Sequence, residues 1–198
     1  TGFIGKTGHD SHGDFFRNDI ESAGIKSFVS HGFDSTGRAI TLVSPDSERT
    51  FATFLGSAIE LAVSDLDGIP FRNYSLLHVE GYLVQNQKLV ERVFQTAKLN
   101  GLKTSLDLAS YNIVSDNKKF LRDTIHKYVD IVFANEDEAH AITGMKPEEA
   151  AEELSNMCTI AVVKTGSSGS VIHKEKEQSK IGIIDIQCVD TTGAGDLY

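Results

Sequence analysis

The chain has 198 residues, of which 40% are hydrophobic and 24% are charged, a composition that excludes a disordered or fibrous protein. Nineteen basic and 28 acidic residues give a net charge of -9, which argues against a nucleic-acid partner because such a partner requires a basic surface. No apolar run approaches the ~20 residues of a membrane-spanning helix, so no membrane partner is expected.

The cysteines and histidines do not predict a metal centre. Cys158 and Cys188 lie far apart and lack a C-x-x-C pattern, which argues against zinc and favours a reducing compartment such as the cytoplasm. The seven histidines occur singly along the chain. The first and last residues resemble positions inside a longer sequence, and we therefore expect a piece of one domain that is incomplete at both ends.

A helix and a pair of strands are predicted in the first part of the chain. Residues 10–24 open with Asp and Ser, which are suitable helix caps, continue with apolar residues at helical spacing and end at a glycine. Residues 38–44 and 49–55 have strand patterns, and residues 45–48 (PDSE) between them are typical of a hairpin connection. We expect this strand pair to form a small appendage.

From about residue 75 onward, short apolar strands alternate with amphipathic helices. Such an alternation predicts an α/β fold with a mostly parallel sheet that is covered by helices on both faces. The predicted strands are residues 76–79, 104–108, 131–134 and 159–163, with helices at 87–99, 117–128, 136–143 and 147–156. Residues 169–173 and 181–188 predict two further strands that form an antiparallel edge.

Polar or glycine residues follow the four apolar strands. Ligands of such sheets bind at the carboxyl ends of the strands, so Glu80, Asp107, Asn135 and residues 164–166 (KTG) are expected along one edge. An alternative is that strand ends are polar merely because they face water. That alternative stays open, above all for Asp107.

Residues 190–196 (DTTGAGD) carry the most specific chemical signal. Glycines let the backbone turn sharply and aim successive N–H groups at one point, and a helix that begins there adds its positive end. This arrangement favours an anion hole for a transferring phosphoryl group. A carboxylate beside it, Asp196, is suited to take a proton from an attacking hydroxyl. The alternative is a glycine turn followed by an Asp helix cap.

At this motif the chain resembles the ribokinase-like (PfkB) family, whose signature is D-T-x-G-A-G-D, and several segments look closest to the adenosine-kinase-like sugar kinases of that family. Further landmarks of the family occur in the same order along nearly the full length. They are residues 5–10 (GKTGHD) with 13–16 (GDFF), Thr36-Gly37 with Glu48-Arg49, residues 135–138 (NEDE) and residues 163–169 (VKTGSSG).

The resemblance implies a ribokinase-like fold with a small β lid. One incomplete domain would span residues 1–198, with lid strands at about 28–56 and the nucleotide-binding core at about 75–198. It also implies Asp196 as the catalytic base and the amides of Gly193, Ala194 and Gly195 as the anion hole.

Other roles are implied for residues outside that turn. By resemblance, Mg²⁺ would be organised by Glu138 and less directly by Asn135, and ATP would lie against Lys164, Thr165, Gly166 and Gly169. A K⁺ ion would be held by Asp190 and Thr192. The acceptor would be contacted by Glu80, Ala39 and Thr41. The family commonly has Thr where this chain has Lys164. For Ala39 and Thr41, an ordinary strand role stays open, and residues 135–138 also fit a simple acidic helix start.

The implied reaction transfers the γ-phosphate of ATP to a primary hydroxyl of a sugar or nucleoside. Residues 5–7 (GKT) also match the end of a P-loop, although Gly8 follows where the P-loop helix would begin. A second alternative is a non-catalytic module that binds a nucleotide or metabolite, or an inactive fragment. If these residues are the whole protein, we expect it to be inactive and poorly stable. The lid strands could also pair between copies and form a homodimer.

Overall fold

We describe the fold from a computed structural model, which describes residues 1–44 and 49–184. The chain divides into two compact units, Thr1–Pro70 and Phe71–Tyr198. Each unit has its own sheets, and each is described separately below.

The first unit begins with a β-α-β element. Strand β1 (Gly2–Thr7) pairs in parallel with β2 (Lys26–His31), and helix α1 (Ser11–Ser22) connects them. The helix confirms the prediction for residues 10–24, since the Asp10 side chain accepts a hydrogen bond from the Gly13 amide and caps its first turn. The two strands were not predicted, because their mixed polar and glycine content hides the strand pattern.

The first unit continues with the predicted hairpin. Strands β3 (Arg38–Val43) and β4 (Arg49–Phe54) are antiparallel and pair from Arg38 with Phe54 to Val43 with Arg49. All six residues of β3 are exposed. Short 3-10 turns follow at Gly56–Glu60 and Val63–Leu66.

The second unit contains a six-stranded sheet. Its strands are β5 (Leu76–Glu80), β6 (Lys103–Asp107), β7 (Ile131–Asn135), β8 (Ile160–Lys164), β9 (Ser170–Lys174) and β10 (Glu177–Ile181). Their order in the sheet is β10-β9-β8-β7-β6-β5. Strands β5 to β8 are parallel, and β9 is antiparallel to both of its neighbours. The predicted α/β fold class is therefore confirmed.

Four helices connect the strands of this sheet: α2 (Gln87–Leu99), α3 (Tyr111–Tyr128), α4 (Glu136–Thr143) and α5 (Pro147–Ser155). Their apolar faces and the central strands form the core, whose fully buried members include Phe94, Leu106, Leu121, Ile125, Val132 and Leu154. Phe94 and Leu121, from different helices, each have no exposed surface, so α2 and α3 both pack closely into this core.

Two boundaries differ from the prediction. Helix α3 begins at Tyr111 rather than at residue 117, because the Ser110 side chain caps it and a non-helical Asn117 (φ -119°) interrupts the helical spacing. The predicted strand at residues 181–188 overlaps the observed strand only at Ile181, since β10 already begins at Glu177. Strand β10 ends at Ile181, because the turn after β9 is short and uses left-handed backbone at Glu175 and Lys176. Residues 185–188 lie outside the described part of the chain.

Among residues 1–44 and 49–184, no helix has the length and apolar character that crossing a membrane requires.

Candidate functional site

The parallel register brings the predicted polar residues of the second unit to one edge of the sheet. Glu80 and Asp107 are neighbours at the ends of β5 and β6, and Asn135 and Lys164 are neighbours at the ends of β7 and β8. All four therefore lie at the carboxyl ends of adjacent parallel strands. We call this row of four residues the polar edge.

Lys164 and Asp107 form an ion pair on the polar edge. The Nζ atom of Lys164 lies 2.9 Å from the Oδ2 atom of Asp107, and the two side chains are only 19% and 18% exposed. The other carboxylate oxygen of Asp107 accepts a hydrogen bond from the Ala109 amide at 2.8 Å. Ala109 has a left-handed backbone (φ 66°), and this turn fixes the direction of the carboxylate. The ion pair thus spans the end of β7 and holds the Lys164 ammonium group in a fixed position.

Sequence reasoning placed Asp107 at this edge but missed its pairing with Lys164, because nothing in the local pattern reports a contact between residues 57 positions apart. The one available signal was that each residue stands at the end of a predicted strand.

Asn135 and Glu138 form a reciprocal cap at the start of α4. The Glu138 amide donates to the Asn135 side chain at 2.9 Å, while the Asn135 amide and its side-chain nitrogen donate to the two Glu138 carboxylate oxygens at 2.8 and 2.7 Å. Such a box satisfies backbone donors that a helix start leaves unpaired. The expected simple helix-start role is therefore present, whatever else the two residues do.

Glu138 is also an electrostatically unusual residue. Its exposed fraction is 2%, and burial raises the pKa of its carboxyl, with the negative charges of Asp107 and Glu80 acting in the same direction. The Asn135 amide and the Lys164 charge act in the opposite direction. Since a nearby cation would favour the ionised form, and each carboxylate oxygen keeps a free lone pair, the side chain fits a hard cation such as Mg²⁺.

Within the described ranges, no group of three or more His, Cys, Asp or Glu side chains is arranged to hold a metal ion.

The turn after β8 contains the other predicted nucleotide contacts. Thr165 closes it by donating its amide to the Gly169 carbonyl at 2.8 Å, and Gly166 and Gly169 both have positive φ, at 53° and 90°. A Cβ at Gly169 would overlap the Ile181 carbonyl oxygen. Only glycine therefore leaves room for the end of β10 at this position. An open pocket of about 250 Å³ adjoins this turn and is lined in part by Thr165, Ser168, Ser170 and Lys180.

In the first unit, Ala39 and Thr41 lie on β3. They share one face of the hairpin because they are two positions apart, and their partners across the hairpin are Thr53 and Phe51. Both are exposed. Any ligand that contacts this face would also meet Thr53 and Phe51, which sequence reasoning did not select.

The expected catalytic and cation-binding residues cannot be placed. Asp196, Gly193, Ala194 and Gly195, together with Asp190 and Thr192, lie outside the described residues, and so does Glu48 of the lid landmark.

The P-loop alternative is wrong. Residues 5–7 form the end of β1 rather than a phosphate-binding turn. The Lys6 side chain is largely buried and forms an ion pair with Asp65 at 3.0 Å, and it also donates to the Glu60 carbonyl at 3.2 Å. Both contacts of Lys6 are therefore structural contacts within the first unit.

A mostly parallel sheet with polar residues at its carboxyl edge is typical of α/β proteins that bind ligands at the ends of their strands. Comparisons with known proteins identify the family. The model of the pfkB family carbohydrate kinases matches residues 1–198, and the chain therefore belongs to that family.

Relatives agree with this assignment. The chain is 27% identical, over its whole length, to an Archaeoglobus fulgidus protein named "Uncharacterized sugar kinase", of which it covers 79%. The crystal structure of adenosine kinase from Sinorhizobium meliloti is similar with a TM-score of 0.90 and 30% identity, covering 100% of this chain and 63% of that one. An E. coli protein described as a Ribokinase II, in complex with ATP and Mg²⁺, has the same fold (TM-score 0.88, 21% identity, 98% and 66% covered). The chain thus spans about two thirds of the length of the solved relatives.

Proposed function

We propose that this protein is an ATP-dependent phosphotransferase that moves the γ-phosphate to a primary hydroxyl of a sugar or nucleoside. The observation that carries the proposal is the family match over residues 1–198, a range that includes the DTTGAGD motif. Family members with related names include a sugar kinase and an adenosine kinase, which supports an adenosine-like or ribose-like acceptor.

In this proposal, the chemistry depends on residues 190–196. Asp196 accepts the proton of the attacking hydroxyl, and the amides of Gly193, Ala194 and Gly195 stabilise the charge that develops on the transferred phosphoryl group. Such transfers depend mainly on positioning and charge neutralisation. Asp190 and Thr192 would hold a K⁺ ion that supports this turn.

The polar edge would receive ATP and Mg²⁺. Support comes from the E. coli structure of the same fold, which contains both, and from the electrostatics of this chain. Glu138 is a buried acid whose pKa is raised by burial and by the charges of Asp107 and Glu80, so a divalent cation next to Glu138 would favour its ionised form. Mg²⁺ supplies charge neutralisation for the phosphates when it is bound. Lys164 would provide a positive charge for the phosphates, and the turn formed by Thr165, Gly166 and Gly169 would lie against the nucleotide.

Glu80, Ala39 and Thr41 are the proposed contacts of the acceptor. Strands β3 and β4 are proposed to act as the lid over it. The same hairpin exposes Ile40, Leu42 and Phe51 at 63%, 60% and 57%, which supports the prediction of a homodimer formed by lid pairing. Cytoplasmic location stays a prediction.

The non-catalytic alternative makes different predictions from the kinase. The direct test measures ADP release with ATP, Mg²⁺ and K⁺ in the presence of adenosine, ribose or fructose. Turnover with one of them establishes the activity and the acceptor. An Asp196→Asn variant should then lose turnover and still bind ATP, whereas Asp116→Asn, which removes a charge from the exposed face of α3, should behave like the wild type. If none of the three is phosphorylated while ATP binds normally, either the acceptor is a different compound or the protein is the non-catalytic binding module.

A further inference from the structure

The base of the β3–β4 hairpin is an unusually constrained part of the first unit. The chain enters the hairpin through residues 35–37 and leaves it through residues 55–57, and we call these two segments the hairpin base. The hairpin itself is exposed along β3. Its direction in space must therefore be set at the base, where the surrounding residues make specific contacts.

Asp10 is the centre of these contacts. One carboxylate oxygen accepts the Thr36 amide at 2.7 Å. The other accepts both the Thr36 hydroxyl at 2.7 Å and the Gly13 amide at 2.9 Å. These hydrogen bonds, first from the Thr36 hydroxyl and then from the Thr36 and Gly13 amides, hold the pKa of Asp10 well below its usual range. The carboxylate therefore joins the first turn of α1 to the entry of the hairpin.

Thr36 is held from both sides. Its side chain is buried, with an exposed fraction of 9%, and its hydroxyl oxygen accepts the Gly8 amide at 3.0 Å while its hydrogen goes to Asp10. The surrounding backbone leaves no room for adjustment. A Cβ at Gly8 would lie 2.6 Å from the Thr36 nitrogen, and one at Gly13 would lie 2.8 Å from the Thr36 hydroxyl. Two glycines thus permit the close approach that the Asp10 contacts require.

The other side of the base is fixed separately. The Ser57 amide donates to the Ser35 carbonyl at 2.9 Å. Gly56 has φ 49°, and a Cβ there would overlap the Ser35 carbonyl oxygen. The Glu60 carboxylate accepts the amides of Phe33 and Asp34, each at 2.9 Å. The two ends of the hairpin are therefore joined to each other, and Asp10 joins them to α1.

We propose that Asp10 is a positioning residue that sets the orientation of the β3–β4 hairpin through Thr36. Asp10 touches neither substrate nor nucleotide in this inference. Its consequence for turnover rests on the proposed function, in which the hairpin covers the acceptor. The predicted effect of Asp10 on how readily the hairpin leaves its base does not depend on the proposed function.

The Asp10→Asn substitution removes one acceptor and keeps the shape of the side chain. An amide group cannot accept at both of its ends, so either the Thr36 amide or the pair formed by the Thr36 hydroxyl and the Gly13 amide loses its partner. Asp14→Asn is the matched control, since it removes the same charge from the same helix, and Asp14 contacts Arg17 at 3.6 Å. A second pair is Thr36→Val, which deletes the hydroxyl, and Thr36→Ser, which keeps it.

The first readout is limited trypsin digestion, which needs no activity. Arg38 is the first residue of β3 and is exposed, and cleavage after it requires the hairpin arm to leave its base. We expect Asp10→Asn to accelerate this cleavage about tenfold, the factor for loss of one net hydrogen bond to a charged group. Cleavage after Lys174, in the second unit, should not change. Thr36→Val should show the same selectivity and Thr36→Ser should restore the wild-type rate.

The second readout separates positioning from general stability. In steady-state assays with adenosine and with ribose, Asp10→Asn should raise the KM of the acceptor and leave the KM of ATP unchanged. Selective Arg38 cleavage in a protein whose wild type phosphorylates neither acceptor would support the positioning inference and count against the proposed function. Equal cleavage rates at Arg38 in wild type, Asp10→Asn and Thr36→Val would overturn the inference, as would Thr36→Ser behaving like Thr36→Val.

Discussion

The Lys164–Asp107 pair allows a quantitative test of the polar edge. The perturbation is a double-mutant cycle that consists of Lys164→Met, Asp107→Asn and the double variant. Met keeps most of the apolar length of Lys164. The asparagine that replaces Asp107 retains an oxygen that can accept the Ala109 amide, which now donates to Asp107. The cycle therefore isolates the attraction between the two charges from the other contacts of each residue.

The expected coupling follows from the geometry. At 2.9 Å and an effective dielectric constant of ~20, two unit charges attract by about 6 kcal/mol before desolvation. Most of that attraction is cancelled, because both side chains have lost about four fifths of their exposure to water, being 19% and 18% exposed. We expect a net coupling of about 1–2 kcal/mol, above the ~0.2–1 kcal/mol of exposed pairs.

The assay is urea unfolding of the four proteins, followed by circular dichroism and by amide exchange of peptides from β6 and β8. The measurement is repeated at high salt, which should reduce the coupling only slightly because largely buried pairs are poorly screened. A coupling below ~0.3 kcal/mol, or one that disappears in salt, would show that the pair behaves as an ordinary surface contact. The view of Lys164 as a fixed cation would then be wrong.

Three further predictions concern single residues of the second unit. Burial raises the pKa of the Cys158 thiol to about 11, so alkylation near neutral pH should be much slower in the folded than in the urea-unfolded chain, as peptide mass spectrometry would show. The pKa of Asp130 is lowered: burial acts against this, but hydrogen bonds from lysine and threonine neighbours outweigh it. Its stabilising effect is present above the ordinary pKa of 3.8 and is lost as the pH falls through the pKa of the folded state. Asp130→Asn should therefore reduce the loss of unfolding free energy that occurs as the pH is lowered, whereas the control Asp123→Asn should not. Gly169→Ala should cost at least ~1–2 kcal/mol more than Gly144→Ala in urea unfolding, because both have positive φ but only the Gly169 Cβ overlaps backbone; equal losses would contradict this.

The second unit could be predicted well because its elements are periodic and locally encoded. Helices α2 and α4 were predicted within their observed bounds, since apolar spacing and nearby caps mark both ends. The cap formed by Asn135 and Glu138 lies within four residues of sequence, which is why a local motif could report it. Strands β7 and β8 are likewise short apolar runs that end in a polar residue.

The remaining features depend on contacts that are distant in sequence. Strands β1 and β2 are stabilised by pairing with each other and by α1 rather than by an apolar pattern. The partnership of Asp10 with Thr36 joins residues 26 positions apart, and the sequence indicated Asp10 only as a helix cap and family landmark and Thr36 only as a family landmark. Lys164 was expected to be a nucleotide contact, and its carboxylate partner became visible only when β6 and β8 were placed on either side of β7.

The reversal of β9 gives the polar edge a definite length. Parallel strands lie ~4.8 Å apart, so the ends of β5 and β8 are separated by about 14 Å across three spacings. Past β8 the next strand runs the other way, and Ser170 at its beginning is paired with Lys164, so the row of strand ends stops there. The row of strand ends therefore has room for about 14 Å of a ligand that begins at Glu80. Any longer ligand must continue over the turn at residues 165–169.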